Sequence, residues 1–341
     1  MTMDIAAGPE TPSPAAAAED VRKAERTDRI VGTVQRQGAL AVLVVVVLIS
    51  VAAFPNFRSF DNTATILVAA APPMLIALGM TFVIITGGID LSVGSLYVLG
   101  GVLAAWASQY GFVAAFAAPL LVCGAIGVVN GLLIAYTRMA PFIVTLAALL
   151  GARGLMRAIS SEGSETYLVR SGAFKRLGNG SLLGVGYQVW LVAVLVGLGM
   201  VLLARTRFGH SLYAVGGSED AAGLMGVAVR RTKVWVYVMS GLLAGLAGAI
   251  NAAKLGSGVT VLGTGMELDA IAAVVIGGTL LTGGAGSIAG TIAGVLLLGV
   301  IQNLINQVGN LNSNWQQVIS GAFLALVVVA QTYLVKLRRV S

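Results

Sequence analysis

From residue 38 onward the chain alternates between long apolar runs and short polar or glycine-rich breaks. Measured against the ~20 residues that cross a bilayer, the runs predict spans at 38–54, 64–86, 92–108, 112–136, 140–160, 187–204, 233–253, 268–282, 286–306 and 315–335. Period-two alternation is missing, which argues against a membrane β-barrel. The pattern predicts an all-α polytopic membrane protein of about ten transmembrane helices. An even number puts both termini on one side. The second span contains Pro72-Pro73 and is expected to be broken there, since proline deletes a helical hydrogen bond and crowds the preceding turn. Such a break is tolerated only where protein or a cavity surrounds it. Residues 1–37 are rich in Ala, Pro and Glu, lack an apolar core, and read as a disordered cytoplasmic tail. Residues 38–336 read as one transmembrane domain.

Composition agrees. The chain is 57% hydrophobic and 10% charged, against about 25% charged in soluble domains. Gly is 45 of 341 residues, an excess over the usual ~7% that suits helices packed through small faces. The single Cys123 excludes an internal disulfide and a four-cysteine metal site. His210, alone in a charged loop, is a solvated or anion-attracting surface residue rather than a ligand, and no metal site is expected. The net charge of +7 is an orientation signal and not a nucleic-acid footprint. With the N-terminus inside, fourteen Lys and Arg fall on the inner side and seven on the outer side. That bias predicts cytoplasmic N- and C-termini, an inner loop at 205–233 and an outer loop at 161–186.

Three motifs carry the chemistry. The first is Gly87-Gly88-Ile89-Asp90-Leu91-Ser92-Val93-Gly94-Ser95, between two apolar runs. Gly87 and Gly88 suit a helix end, and Asp90 or Ser92 is expected to cap the next helix. The second lies in the inner loop, where Ser218 precedes Glu219 and Asp220, favourable acids at a helix start. Ala221, Ala222, Leu224 and Met225 give that short helix an apolar side, and Gly226 ends it. The apolar side needs a partner, either its own bundle or another protein. The third runs from Glu267 through Gly277-Gly278 to Gly290 and Gly294, a GxxxG pair suited to close helix packing. The first and third motifs share a faint echo, Gly87-Gly88 to Gly94-Ser95 and Gly277-Gly278 to Gly286-Ser287. Either an ancient duplication or chance similarity of glycine-rich helices explains it.

These three motifs, in this order, resemble those of the membrane subunits of bacterial ABC importers for ribose, xylose and similar simple sugars. The likeness covers roughly residues 38–336. It implies a multi-pass permease of the bacterial inner membrane, paired with a second copy or a paralogous subunit. It implies an ABC ATPase inside, carrying the ATP and Mg, and an extracytoplasmic sugar-binding protein outside. Gly217, Ser218, Glu219, Asp220, Ala221, Ala222, Gly223, Met225 and Gly226 would form the ATPase-docking helix; related subunits carry Asn where Ser218 stands. No cofactor, nucleic acid or catalytic residue is implied for this chain, and no Gly-Lys pair exists from which to build a phosphate loop.

Candidates for the substrate path are neutral. Gln302 and Asn306 share a helix face, with Asn303 beside them. Amides in an apolar span either bond another helix or line a wet path. Asn130 and Trp106 are weaker candidates, Trp106 being equally suited to an interface anchor. Arg58, Arg170, Lys175 and Arg176 oppose the orientation bias and are either solvated loop charge or a docking surface for the binding protein. The competing class is a secondary carrier for a small polar solute, working without an ATPase. Against it stand the exposed inner helix and the lack of acids at mid-membrane.

Overall fold

The computed structural model describes residues 38–308 and the single positions 318, 321, 322, 325 and 329. The expected tail 1–37 and most of the expected span 315–335 lie outside the described residues.

Among the described residues, six helices are long and apolar enough to cross a membrane. They are α2 (Phe60–Ile85), α4 (Phe112–Thr137), α5 (Pro141–Ile159), α7 (Tyr187–Arg205), α10 (Val229–Leu255) and α12 (Ile288–Val308). Shorter apolar helices complete the bundle: α1 (Gly38–Ala53), α3 (Val93–Ala107) and α11 (Met266–Ile276). Three more lie at the ends of the bundle, α6 (Gly172–Asn179), α8 (Arg207–Gly217) and α9 (Glu219–Leu224). A two-residue hairpin, β1 (Ser181–Leu182) with β2 (Val185–Gly186), follows α6.

Two expectations need correction. The helix α2 is not broken: it runs without interruption through Pro72 and Pro73. The prolines remove bonds to the carbonyls of only Val68 and Ala69. From Met74 onward its residues are buried by neighbouring segments, which hold the axis together. The expected span at 268–282 is the 11-residue α11, ending at Ile276. At ~1.5 Å per residue it is far shorter than a ~30 Å hydrocarbon layer. The chain reverses there because Gly278 takes a left-handed φ of 88°. The reversal bonds to itself and to α2, with Leu280 N–H donating to Ala285 O at 3.0 Å and Gly284 N–H to Ile85 O at 2.9 Å. Those bonds satisfy irregular backbone that lipid could not.

The centre is α10, packed on α2, α3 and α4. Gly241 and Gly248 of α10 lie so close to the carbonyls of Cys123 in α4 and Tyr97 in α3 that a Cβ at either would penetrate them. A Cβ at Gly100 of α3 would come within 2.6 Å of the Gly245 carbonyl of α10. This is backbone-to-backbone packing of the kind that drives helix association in lipid. On the other flank, α2 is tied to α12 by a buried Thr81–Thr291 hydroxyl bond of 2.8 Å.

The bundle has two ends. One bears α6 and the hairpin, whose Gly184 lies against the Phe60 ring at the start of α2. Segment 160–186 is pinned there by Val169 N–H donating to Gly256 O at 2.8 Å and by Phe174, which packs edge-on to Phe112 and Phe116. The opposite end bears the 86–92 turn, the 277–287 reversal, α8 and α9.

Candidate functional site

At the α8–α9 end the first sequence motif forms a buried polar knot. Gly87 adopts φ 76°, a left-handed value that favours glycine. Gly88 is needed for space, because the Tyr237 hydroxyl of α10 rests against its Cα. Gly94 likewise admits the Glu267 carboxylate at the start of α11. Asp90 is 1% exposed. Its Oδ1 accepts from Ser92 N–H at 3.0 Å and Ser92 Oγ at 2.5 Å, and its Oδ2 accepts from Ser240 Oγ of α10 at 2.7 Å. Asn130 Nδ2 of α4 donates to Ser92 Oγ at 3.3 Å. Three elements, the 86–92 turn, α10 and α4, thus meet around one carboxylate. The expected helix cap is not made: Ser92 is the N-cap residue of α3 but its side chain makes no capping bond, because both its hydroxyl and its N–H turn back to Asp90. Asn130, expected on a substrate path, belongs to this knot.

Beside the knot, α8 ends against both reversals. A Cβ at Gly216 would overlap the Ile85 carbonyl at the end of α2 and lie 2.5 Å from Gly284 N. The Tyr213 hydroxyl donates to Gly286 O at 2.8 Å. The two halves of the sequence echo are therefore in contact, Gly283 lying against Gly87, with α8 wedged between them.

Helix α9 starts as expected, with Ser218 Oγ accepting from Ala221 N–H at 3.3 Å. Its apolar side is split. Ala222 is fully buried against its own bundle, whereas Leu224 is 91% and Met225 74% exposed. The placing of Ala222 on the ATPase-docking face is corrected: two residues from Leu224, about half a helical turn, it points the opposite way. Gly217, Gly223 and Gly226 have open space around them, and Glu219 is paired with Lys233 of α10.

Between α2, α11 and α12 lies a cavity of about 150 Å3, lined by Thr65, Asp269, Gln302, Asn303 and Asn306 among apolar side chains. All three expected amides are brought together here. Part of their bonding capacity is spent between helices: Asn303 Nδ2 donates to Asn62 Oδ1 at 3.0 Å and Gln307 Nε2 to the same oxygen at 3.3 Å, while within α12 Gln307 Nε2 also donates to Asn303 Oδ1 at 2.8 Å. Sequence reasoning missed Thr65, Asp269, Asn62 and Gln307. A signal existed for Gln307, one turn beyond Asn303. None existed for Asn62, which reaches the site only because α2 packs on α12.

At the α6 end, Trp106, Gln109, Tyr167, Arg170 and Lys175 line a recess of about 570 Å3. Trp106 therefore sits on the rim with the basic residues and away from the amide cavity. Arg176 is exposed nearby on α6. Arg58 is exposed on the α1–α2 connection, with Nε donating to Val51 O at 2.7 Å.

Comparison with known proteins decides the family. The family described as "Branched-chain amino acid transport system / permease component" matches residues 62–328. The chain belongs to this permease family. It is 39% identical over 300 residues to the ribose import permease protein RbsC of Escherichia coli K12, covering 86% of this chain and 92% of that protein. It is 41% identical over 300 residues to the inner membrane ABC transporter permease protein YjfF of the same organism, covering 86% and 90%. It is 34% identical over 325 residues to the L-arabinose ABC transporter permease protein AraH of Azospirillum brasilense, covering 95% and 94%. No solved structure matches. This ABC permease is a multi-pass protein of the inner membrane, and the amide cavity and the two-reversal junction lie inside the region that the family match covers.

Proposed function

We propose that this permease is the membrane subunit of an ATP-driven importer that moves a simple sugar, a pentose, hexose or related polyol, into the cytoplasm by alternating access. The observation that carries the reading is the identity to permeases named for ribose and L-arabinose along nearly their whole length. The cavity supports it, since neutral amides and a hydroxyl suit a polyol's mixed donors and acceptors. The basic bias supports a cytoplasmic α8–α9 end. There Leu224 and Met225 of α9 would enter a separate ATPase, which binds ATP and Mg and performs all the hydrolysis. A second copy or paralogue would complete the path, and Arg58, Arg170, Lys175 and Arg176 would receive an extracytoplasmic binding protein.

Movement of α9 would reach the bundle through Gly216, which touches both reversals at once. The test is reconstitution with the ATPase and binding protein, followed by ATPase rates with ribose, arabinose, xylose and leucine. Stimulation by a sugar is expected, and Met225→Asp should abolish it while the permease still folds. Stimulation by leucine alone would move the substrate class to amino acids, as the family's description allows. Uptake without the ATPase would make the protein a secondary carrier.

A further inference from the structure

The α8–α9 end holds a second recess apart from the amide cavity, walled on one side by Glu219 and Asp220 of the helix expected to dock the ATPase. It encloses about 520 Å3 between the 86–88 turn, the α4–α5 connection, α9 and the start of α10. Arg138, Arg230 and Lys233 line it, with Glu219, Asp220 and Tyr237. Lys233 is neutralised by Glu219. That leaves two guanidinium groups facing one carboxylate, Asp220. Arg138 is held at φ 57°, a left-handed conformation uncommon for a side-chain-bearing residue. Strain of this kind persists where the surroundings require it. The Arg230 guanidinium lies 5.4 Å over the Tyr136 ring, a cation–π contact that orders the side chain.

Two helices also begin at this recess. Ala140-Pro141 opens the 19-residue α5, and Val229 opens the 27-residue α10. Neither has a side-chain cap or an acid in its first turn. Pro141 has no N–H and Val229 N–H is bonded to Val227 O at 2.8 Å, so it is the positive dipole ends of the two helices that add to the arginines. The Tyr237 hydroxyl, on a lining residue, is buried and has no hydrogen-bond partner among the described residues.

We propose that this recess binds a phosphate joined to a polyol. The phosphate would sit between Arg138, Arg230 and the two helix starts, where bidentate charge-assisted bonds are strongest. The hydroxyls would meet Asp220 and Glu219 as acceptors and Tyr237 as donor. A bare anion would leave those carboxylates opposed to it, so the mixed lining selects the polyol as well as the phosphate. Two sources carry this chemistry: a soluble sugar phosphate, or the headgroup of phosphatidylglycerol. Either would tie α9 to α5, α10 and the 86–88 turn, and so restrain the end on which the ATPase acts. The proposal rests on the inward orientation under Proposed function and does not depend on which sugar is carried.

The test uses the permease with its ATPase in nanodiscs of zwitterionic lipid. Labelled ribose 5-phosphate is measured by equilibrium dialysis, with ribose and inorganic phosphate as competitors. Saturable binding is expected, weakened by salt, not displaced by ribose, and at least about tenfold weaker in Arg138→Gln/Arg230→Gln. In a second arm the discs contain phosphatidylglycerol, and retained lipid is read by native mass spectrometry. Retention by the unmodified protein, lost in the double variant and accompanied by loss of ribose 5-phosphate binding, assigns the site to the headgroup. Unchanged thermal unfolding of the variant excludes misfolding, and Arg138→Lys, with charge but no fork, should bind at an intermediate level. Failure of both ligands to bind, or equal binding by the double variant, overturns the proposal. Sugar-stimulated ATPase activity tests the import reading separately and would survive that failure.

Discussion

Where α10 crosses α3 and α4 the backbones touch; where α2 faces α11 and the 295–306 part of α12 they part and leave a cavity, although Gly290 and Gly294 at the start of α12 press on α11 as closely. The first contact is made by Gly241, Gly245 and Gly248 of α10 and by Gly100, Gly127 and Gly131 facing it from α3 and α4, and beside it a carboxylate is locked by two serines of different elements. The second is lined by the amide side chains of Gln302, Asn303 and Asn306, with Asn303 bonded across to Asn62 of α2. A welded flank and an open flank in one subunit suggest a division of labour. The glycine flank has no room to slide, because close-packed backbones shift only between discrete arrangements. The amide flank has room, and its polar groups can exchange partners with a solute.

Substitutions on the two flanks separate these roles. The largest effect is expected for Gly248→Leu, which drives a side chain into the Tyr97 carbonyl and should cost at least about 3 kcal/mol, beyond ordinary overpacking. Loss of the monodisperse folded peak in detergent chromatography would report it. Gly299→Leu on α12 is the matched control. Its nearest neighbours to a Cβ are methyl groups at 3.9 Å and it lines the cavity. It should fold with less than about 1 kcal/mol of change yet fill the space and abolish uptake. Equal destabilisation by both would erase the distinction between flanks.

Asp90→Ala comes next. It strands the hydroxyls of Ser92 and Ser240 in a dry site, at about 2–3 kcal/mol. Asp90→Asn should cost about 1 kcal/mol, since both serine hydroxyls can rotate to suit an amide. Thermal unfolding of the purified variants checks the order. A large uptake defect in Asp90→Asn with unchanged unfolding would show that the charge itself is used.

Asn303→Leu removes one interhelical amide bond and should cost about 1 kcal/mol while lowering sugar-stimulated ATPase activity. Normal uptake by this variant would leave the amides with packing alone. The smallest stability effect belongs to the α6 end. Reversing Arg170, Lys175 and Arg176 to Glu changes exposed charges worth ~0.2–1 kcal/mol each. Stability should hold, while the concentration of binding protein giving half-maximal stimulation should rise, most at low salt. No change at low salt would leave these residues as solvated loop charge.

Membrane character, helix positions, the glycine turn at Gly87 and the Ser218 cap are properties of short stretches, and the sequence carries them directly. Apolar length, left-handed glycine and local capping need no knowledge of distant residues. The continuity of α2 was misjudged because proline acts locally to break a helix, while burial by other segments acts to keep it whole. The truncation of α11 was hidden for a related reason: apolar residues continue past Ile276, but the backbone bonds to its own reversal and to Ile85 instead. Which face of α9 is inward, that Asn130 serves Asp90, and that Asn62 meets Asn303 across 241 positions depended on packing. Such pairings are set when glycine-lined helices come into contact. Hydropathy is blind to them, because lipid and protein interior are equally apolar and a side chain's composition does not say which of the two it faces.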